Sequence, residues 1–306
     1  MQEFKNKIRV GILRGGTGDY YETSLKEGGH VISYILDLSE KWKPVDILID
    51  KQGVWHAGGI PIKPSDLSDK VDVVWNTAHP SFSNILNNLS IPNTGASSLS
   101  FASNNSRALL EEHMKKIGIN IPKHIVISLY QEDFDGPVEK FVLKKAKMIF
   151  EKFPSPWVVK SFTSDLDMGI HIAKTFVELT DALMDCIKHK KSILVEELIA
   201  GKEVSMHSVA NFRGGDIYVF PVIGNFSRNE KEKLISLTKN IYNHLGVSNY
   251  LKADFIISTA RSIYLTNVEF SPNLKKDSHF CQSCIFVGAE THHVVEHILE
   301  NALSGL

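Results

Sequence analysis

Residues 250–273 read YLKADFIISTARSIYLTNVEFSPN. Tyr250 to Ser258 and Ser262 to Phe270 are both of strand length, and the short polar segment between them reads as a turn, so the stretch predicts a hairpin. Asp254 lies in Lys252-Ala253-Asp254-Phe255, and Glu269 lies in Asn267-Val268-Glu269-Phe270-Ser271-Pro272-Asn273. Pairing through the turn brings the two carboxylates near each other. They repel unless positive charge sits between them. Magnesium, held by one or two carboxylates together with nucleotide phosphates, is the natural occupant. Spacing alone leaves open two solvated acids on an exposed hairpin.

Working outward, Pro156-Trp157-Val158-Val159-Lys160 is an apolar strand that ends on a lysine, a point charge suited to a phosphate. A surface lysine folding its stem over apolar neighbours is the plainer alternative. Ile193-Leu194-Val195-Glu196-Glu197 is a strand that ends in acids. Glu203 follows Leu198-Ile199-Ala200-Gly201-Lys202 and stands where a carboxylate beyond a tight turn holds ribose hydroxyls; a charged loop is the alternative. Between these runs the pattern predicts strands at His124–Ser128 and Ile170–Lys174 and helices at Val138–Phe153 and Leu179–His189. Beyond them it predicts a hairpin of Glu203–Asn211 with Asp216–Val222, a helix over Arg228–Leu245 stopped by Gly246, and a final helix over Thr291–Leu303.

The N-terminal third has a different rhythm. Ile8 to Leu13 is a buried-strand run that ends at Arg14-Gly15-Gly16-Thr17-Gly18, a turn with no room for bulky residues. A helix from Ser24 to Leu38 follows, weakened by Gly28-Gly29, and then strands at Asp46–Asp50 and Val71–Trp75. The order implies an open α/β subdomain. A helix over Ser103–Gly118 with a glycine stop comes next. The expected division is 1–102 for the N-terminal α/β subdomain, 103–191 for a central subdomain, and 192–306 for a C-terminal α+β subdomain carrying the metal site.

The 306 residues exceed what one simple core holds. With 43% hydrophobic and 23% charged residues, the composition is that of a folded globular chain. A formal net charge of −1 gives no support to nucleic-acid or anionic-membrane binding. No apolar run reaches the roughly 20 residues of a membrane span, and no secretory leader is expected. Three cysteines, Cys186, Cys281 and Cys284, make no disulfide framework and fit a reducing cytoplasm. Cys281 and Cys284 form a CxxC, but only His279 lies near, so a zinc site is not expected.

Taken in order, these pieces resemble the ATP-grasp superfamily and, within it, the D-alanine–D-alanine ligase family. The strand-ending lysine appears as Val158-Val159-Lys160, and the adenine and ribose segment as Leu194 to Val204. The Arg-x-Asp-Phe element appears as Lys252-Ala253-Asp254-Phe255, and the Glu-Val-Asn element as Glu269-Phe270-Ser271. The N-terminal Gly-Gly and Ser-Leu pairs appear as Gly15-Gly16 and Ser24-Leu25, and Ile-Pro-x-Thr-Gly as Ile91 to Gly95. The resemblance implies an ATP-grasp fold and an ATP-dependent carboxylate–amine ligase that works through an acylphosphate. By this likeness Lys160 and Arg107 meet ATP phosphates, Glu196, Glu197 and Leu198 line the adenine pocket, and Glu203 holds ribose. Asp254 and Glu269, with Ser271 or Asn273, hold Mg2+ or Mn2+. Lys252 replaces the family's arginine beside the developing negative charge, keeping the charge but losing the planar fork. Tyr20, Glu22 and Ser278 are the acceptor-site candidates for an amino acid or peptide. The family's usual homodimer, formed through the N-terminal subdomain, is also implied.

The sequence departs from the family pattern in places. The glycine-serine-serine phosphate loop is replaced by Ser161 to Gly169, with Asp165 and Asp167 where phosphate oxygens belong. The family's orienting glutamate aligns with Tyr20, and the long lid is reduced to a short connection within Pro221–Leu234. Two readings remain at this level: a ligase, or a non-catalytic nucleotide-binding relative that has lost its acceptor site. An unrelated α/β binding protein is a third, disfavoured by the order of the matches.

Overall fold

The computed structural model describes residues 7–18, 20–130, 134–162 and 168–305. The chain groups into two compact units. One holds residues 1–118, 204–255 and 267–306, and the other holds 119–203 and 256–266. This grouping differs from the expected division at 102 and 191. A division into consecutive stretches assumes that each unit is one length of chain, whereas this chain leaves the first unit and returns to it twice.

The first unit begins with β1 (Ile8–Gly15), α1 (Tyr21–Asp37), β2 (Trp42–Ile49), β3 (Trp55–Ala57), β4 (Ile60–Ile62) and β5 (Val73–Asn76). They form a sheet in the order β4-β3-β2-β1-β5. β1 runs parallel to β2 and to β5. Parallel strands of this kind are buried on both faces, which is why Val10, Ile12 and Leu13 are fully enclosed and the run reads as continuously apolar. α1 buries Ser24, Gly28, Val31 and Ile35, one stripe at helical spacing. Gly28 is tolerated in the helix because a Cβ there would stand 2.9 Å from Arg14 Cδ and 3.1 Å from Thr77 Oγ1. The β3–β4 hairpin was not expected. Its turn is Gly58-Gly59, both at positive φ (58° and 81°), the two-residue turn that glycine pairs favour. α2 (Phe82–Asn88) was also unforeseen. The helix expected over 103–118 is two helices, α3 (Ser98–Asn105) and α4 (Arg107–Lys116). Ser106 separates them at φ −137°, and its Oγ caps α4 by accepting from Leu109 N at 3.3 Å.

The second unit holds β6 (His124–Ile127), α5 (Val138–Lys152), β7 (Trp157–Ser161), β8 (Ile170–Ala173), α6 (Phe176–Ile187) and β9 (Ile193–Glu197). Its sheet runs β6-β9-β7-β8 with antiparallel pairing throughout. Phe141, Val142, Ala146 and Ile149 of α5 and Leu179, Leu183 and Cys186 of α6 close over Trp157, Val159, Ile193 and Val195 in one core.

The remaining elements are β10 (Gly201–Ala210), β11 (Ile217–Val219), α7 (Arg228–His244), β12 (Tyr250–Ser258), β13 (Ile263–Glu269), α8 (His279–Phe286) and α9 (Thr291–Leu303). The strands order as β11-β10-β12-β13, so the expected neighbours are neighbours. β11 stops short of the expected Val222; Pro221 has no N–H to give to a ladder. Ser227 and Glu230 form a reciprocal capping box at the start of α7. No described helix is long and apolar enough to cross a membrane.

The turn after β1 ties the motif pieces together. Gly15 N donates to the buried Ser24 Oγ at 2.9 Å, and Gly16 N donates to Ile49 O at 2.8 Å. Gly15 has φ +88°, and a Cβ there would stand 2.2 Å from Ile49 O. Gly15→Ala is therefore expected to destabilise the protein by about 1–3 kcal/mol or more, read as a lower midpoint in urea unfolding. Gly29→Ala, where a Cβ meets nothing within 4 Å, is the control and is expected to be neutral or stabilising.

Candidate active site

β12 alternates buried and partly exposed residues, with Leu251, Ala253 and Phe255 inside and Lys252 and Asp254 on the other face. Glu269 ends the neighbouring β13. Lys252 Nζ lies 3.0 Å from Asp254 Oδ2 and 3.1 Å from Glu269 Oε1. The two carboxylates thus converge as the sequence predicts, but the point of convergence holds an ammonium. Burial works against the Lys252 charge. Glu269 and Asp254 outweigh it, so its pKa stands above the ordinary lysine value. Asn267 Nδ2 donates to Glu269 Oε1 at 3.0 Å and reaches Asp254 Oδ2 at 3.4 Å. Ser205 Oγ donates to Asp254 Oδ1 at 2.5 Å. Ser205 and Asn267 carry no motif of their own and were not singled out in the sequence; only the pairing of β10, β12 and β13 reveals them.

One ammonium against two carboxylates leaves the trio a net negative charge. Two hard oxygen donors that already share one cation suit magnesium together with nucleotide phosphates, so the residues present fit that metal. Of the other two proposed ligands, Ser271 is exposed, and Asn273 Oδ1 accepts from Lys275 N at 2.9 Å in its own turn.

The acceptor candidates separate. Glu22 is exposed and faces Lys51 at 3.6 Å. Ser278 caps α8, accepting from Cys281 N and donating to Asn273 O at 2.6 Å. Tyr20 shares a hydrogen bond with Glu27, a residue the sequence reading passed over. Burial raises the Glu27 pKa; the Tyr20 hydroxyl opposes this, and the Glu269 carboxylate adds to it. Glu27 looks like an ordinary polar position of α1 until the fold sets it near Glu269.

In the second unit, Glu196 is 3% exposed, and its Oε2 lies 2.7 Å from Lys160 Nζ. Val158 pairs with Glu196 across β7 and β9, so Lys160, two residues on, is its diagonal neighbour on the same face. Glu197 Oε1 accepts from Lys123 N at 2.9 Å, and Leu198 N donates to Pro156 O at 2.9 Å. Glu203 is exposed on β10. Arg107, in the first unit, is buried in the first turn of α4. Asp165 and Asp167 lie outside the described residues. The connection between β11 and α7 spans only 220–227. All three cysteines are buried free thiols, and Cys281 Sγ donates to Lys275 O at 3.3 Å, a structural contact.

The lysine that bridges two carboxylates on β12 and β13, and the lysine–glutamate pair on β7 and β9, are the charged groups on which the resemblance to the ATP-grasp class rests. The family model "D-ala D-ala ligase C-terminus" matches residues 113–224. A D-alanine–D-alanine ligase of Fervidobacterium nodosum is 24% identical, over 96% of this chain and 98% of that protein. Among solved structures, the VanG D-Ala:D-Ser ligase of Enterococcus faecalis superposes with a TM-score of 0.76 at 17% identity, over 97% of this chain and 99% of that one. The D-alanine–D-alanine ligase of Bacillus anthracis complexed with ATP gives 0.72 at 18%, over 97% of both chains. Over nearly its whole length the chain is similar to D-alanine–D-alanine ligases of the ATP-grasp fold. The reading as a non-catalytic relative gains nothing from these likenesses.

Lys160→Met is expected to lower stability by about 1–3 kcal/mol, because it takes the cation from a buried carboxylate. Adding Glu196→Gln is expected to restore most of that loss in urea unfolding, since the charge left behind is then gone.

Proposed function

We propose that the protein is an ATP- and magnesium-dependent carboxylate–amine ligase that joins an amino acid or short peptide to a second amine through an acylphosphate. The observation that carries this is the Lys252–Asp254–Glu269 cluster, in a chain that aligns end to end with ligases. Asp254 and Glu269 hold the magnesium, with Ser271 or Asn273 available as a further oxygen ligand. Bound there, the metal neutralises phosphate oxygens. Lys252 then faces the charge that develops as the phosphoryl group leaves, as a point charge without the arginine fork.

Lys160 and Arg107 hold phosphates, Glu196, Glu197 and Leu198 line the adenine pocket, and Glu203 binds ribose. The Leu198 amide is engaged by Pro156, so Leu198 contributes its side chain and carbonyl. On the acceptor side, Tyr20 and Glu27 place a hydroxyl and a carboxylate near Glu269, a setting that suits an ammonium. An acylphosphate needs protection from water. With the short 220–227 connection in place of a long lid, that protection falls to a bulky acceptor or to a second chain. We assign the protein to the reducing cytoplasm and to a homodimer formed through its N-terminal subdomain.

The test is ADP release from Mg-ATP with a panel of D- and L-amino acids and short peptides. One acceptor class is expected to stimulate release. Asp254→Ala and Glu269→Ala are each expected to lower kcat by about 100-fold or more. Lys160→Ala is expected to raise KM for ATP more than KM for the acceptor. Clear ATP binding with no release from any acceptor, or unchanged rates in both carboxylate variants, would overturn the proposal.

A further inference from the structure

Tyr250, His207 and His279 form a hydrogen-bonded row in the unit that carries the lysine–carboxylate cluster. Tyr250, two residues before Lys252 on β12, places its hydroxyl 2.7 Å from His207 Nδ1. His207, on β10 and 2% exposed, places its Nε2 2.8 Å from His279 Nδ1. His279 is the first residue of α8. Phe280 stands edge-on to both the His207 and Tyr250 rings, at 5.5 and 5.3 Å, and fixes their orientation.

Each of the two hydrogen bonds takes one proton, and the direction of the row follows from its buried end. Tyr250 is fully enclosed. Burial, with Glu269 and Asp254 adding, pushes its pKa well above the ordinary value, so it keeps its O–H. Its one hydrogen-bond partner among the described residues is His207. Burial pushes the His207 pKa well down, with His279 and Lys252 adding, so this ring is neutral and carries one proton. If Tyr250 donates to Nδ1, the His207 proton sits on Nε2 and is given to His279 Nδ1. The His279 proton must then sit on its own Nε2. The reverse row would leave a buried hydroxyl hydrogen without an acceptor, at a cost of about 1–3 kcal/mol. His279 Nε2 has no hydrogen-bond partner among the described residues. The half-buried ring lies within electrostatic reach of Asp254 and Lys252, and burial keeps its pKa low.

We propose that Tyr250 and His207 are positioning residues that lock His279 in the Nε2–H form, and that His279 donates this hydrogen bond to a phosphoryl or acylphosphate oxygen held at the Lys252–Asp254–Glu269 cluster. The identity of that oxygen rests on the ligase reading; the locked row does not. A neutral donor adds a directed hydrogen bond where charge develops without adding a cation beside Lys252. The sequence offers no signal for this, because His207 and His279 are 72 residues apart and belong to no common motif.

The test uses the full chain labelled with 15N in histidine. Long-range proton–nitrogen spectra are expected to show both His207 and His279 protonated on Nε2. Tyr250→Phe keeps the ring and removes the hydroxyl, and is expected to raise the share of His279 protonated on Nδ1. Mg-ATP is expected to shift the His279 Nε2–H resonance. In steady state, His279→Ala is expected to lower kcat by about 100-fold with little change in KM for ATP, and Tyr250→Phe by a smaller factor in the same sense. A wild-type His279 protonated on Nδ1, a tautomer unmoved by Tyr250→Phe, no shift with Mg-ATP, or full kcat in His279→Ala would each overturn the proposal. If no acceptor stimulates ADP release, the ligase reading falls, and the tautomer and Mg-ATP spectra still decide the row and its phosphate contact.

Discussion

Asp254 of β12 and Glu269 at the end of β13 meet at one lysine, and two carboxylates held that close repel each other. Lys252 makes the arrangement tolerable, with its ammonium about equally far from both at 3.0 and 3.1 Å. The neighbours are chosen to match. Ser205 and Asn267 give hydrogen bonds to the same carboxylates, and both are donors toward them. The charge left over is negative, which favours a divalent cation. This constraint fixes much of the surrounding chain: β10 and β13 must both lie beside β12, and β12 must hold its alternation over its length.

The same physics recurs at lower intensity elsewhere. In the second unit, Glu196 is almost wholly buried and is matched by Lys160 on the adjacent strand. In α1, burial raises the Glu27 pKa, the Tyr20 hydroxyl opposes this, and the Glu269 carboxylate adds to it. Two carboxylates within electrostatic reach of each other raise the cost of charging either one.

The long periodic elements were legible in the sequence. The core of β1, the apolar stripe of α1, the strand at Trp157, the Tyr250–Glu269 hairpin and the final helix over Thr291–Leu303 stand where hydrophobic spacing placed them. Short elements were not. β3 and β4 have three residues each, too few for alternation to register, although Gly58-Gly59 marked their turn. Ser106 reads as one more polar residue of a helix until its side chain is seen capping the next one. The break between α3 and α4 therefore depended on a local hydrogen bond that periodicity does not encode.

For the site, residue type and order in the sequence were enough to single out Lys160, Glu196, Lys252, Asp254 and Glu269, because charged residues at the ends of apolar strands are costly and stand out against the pattern. The order of the motif pieces along the chain also carried the likeness to D-alanine–D-alanine ligases. Tertiary structure alone decided which groups touch. It set Lys252, and not an open space, between the two carboxylates. It turned Asn273 and Ser278 toward the backbone, brought Ser205 and Asn267 onto the two carboxylates, and set His207 against His279. Those contacts join strands and helices far apart in the chain, and a contact set by strand pairing and burial leaves no spacing for a sequence to show.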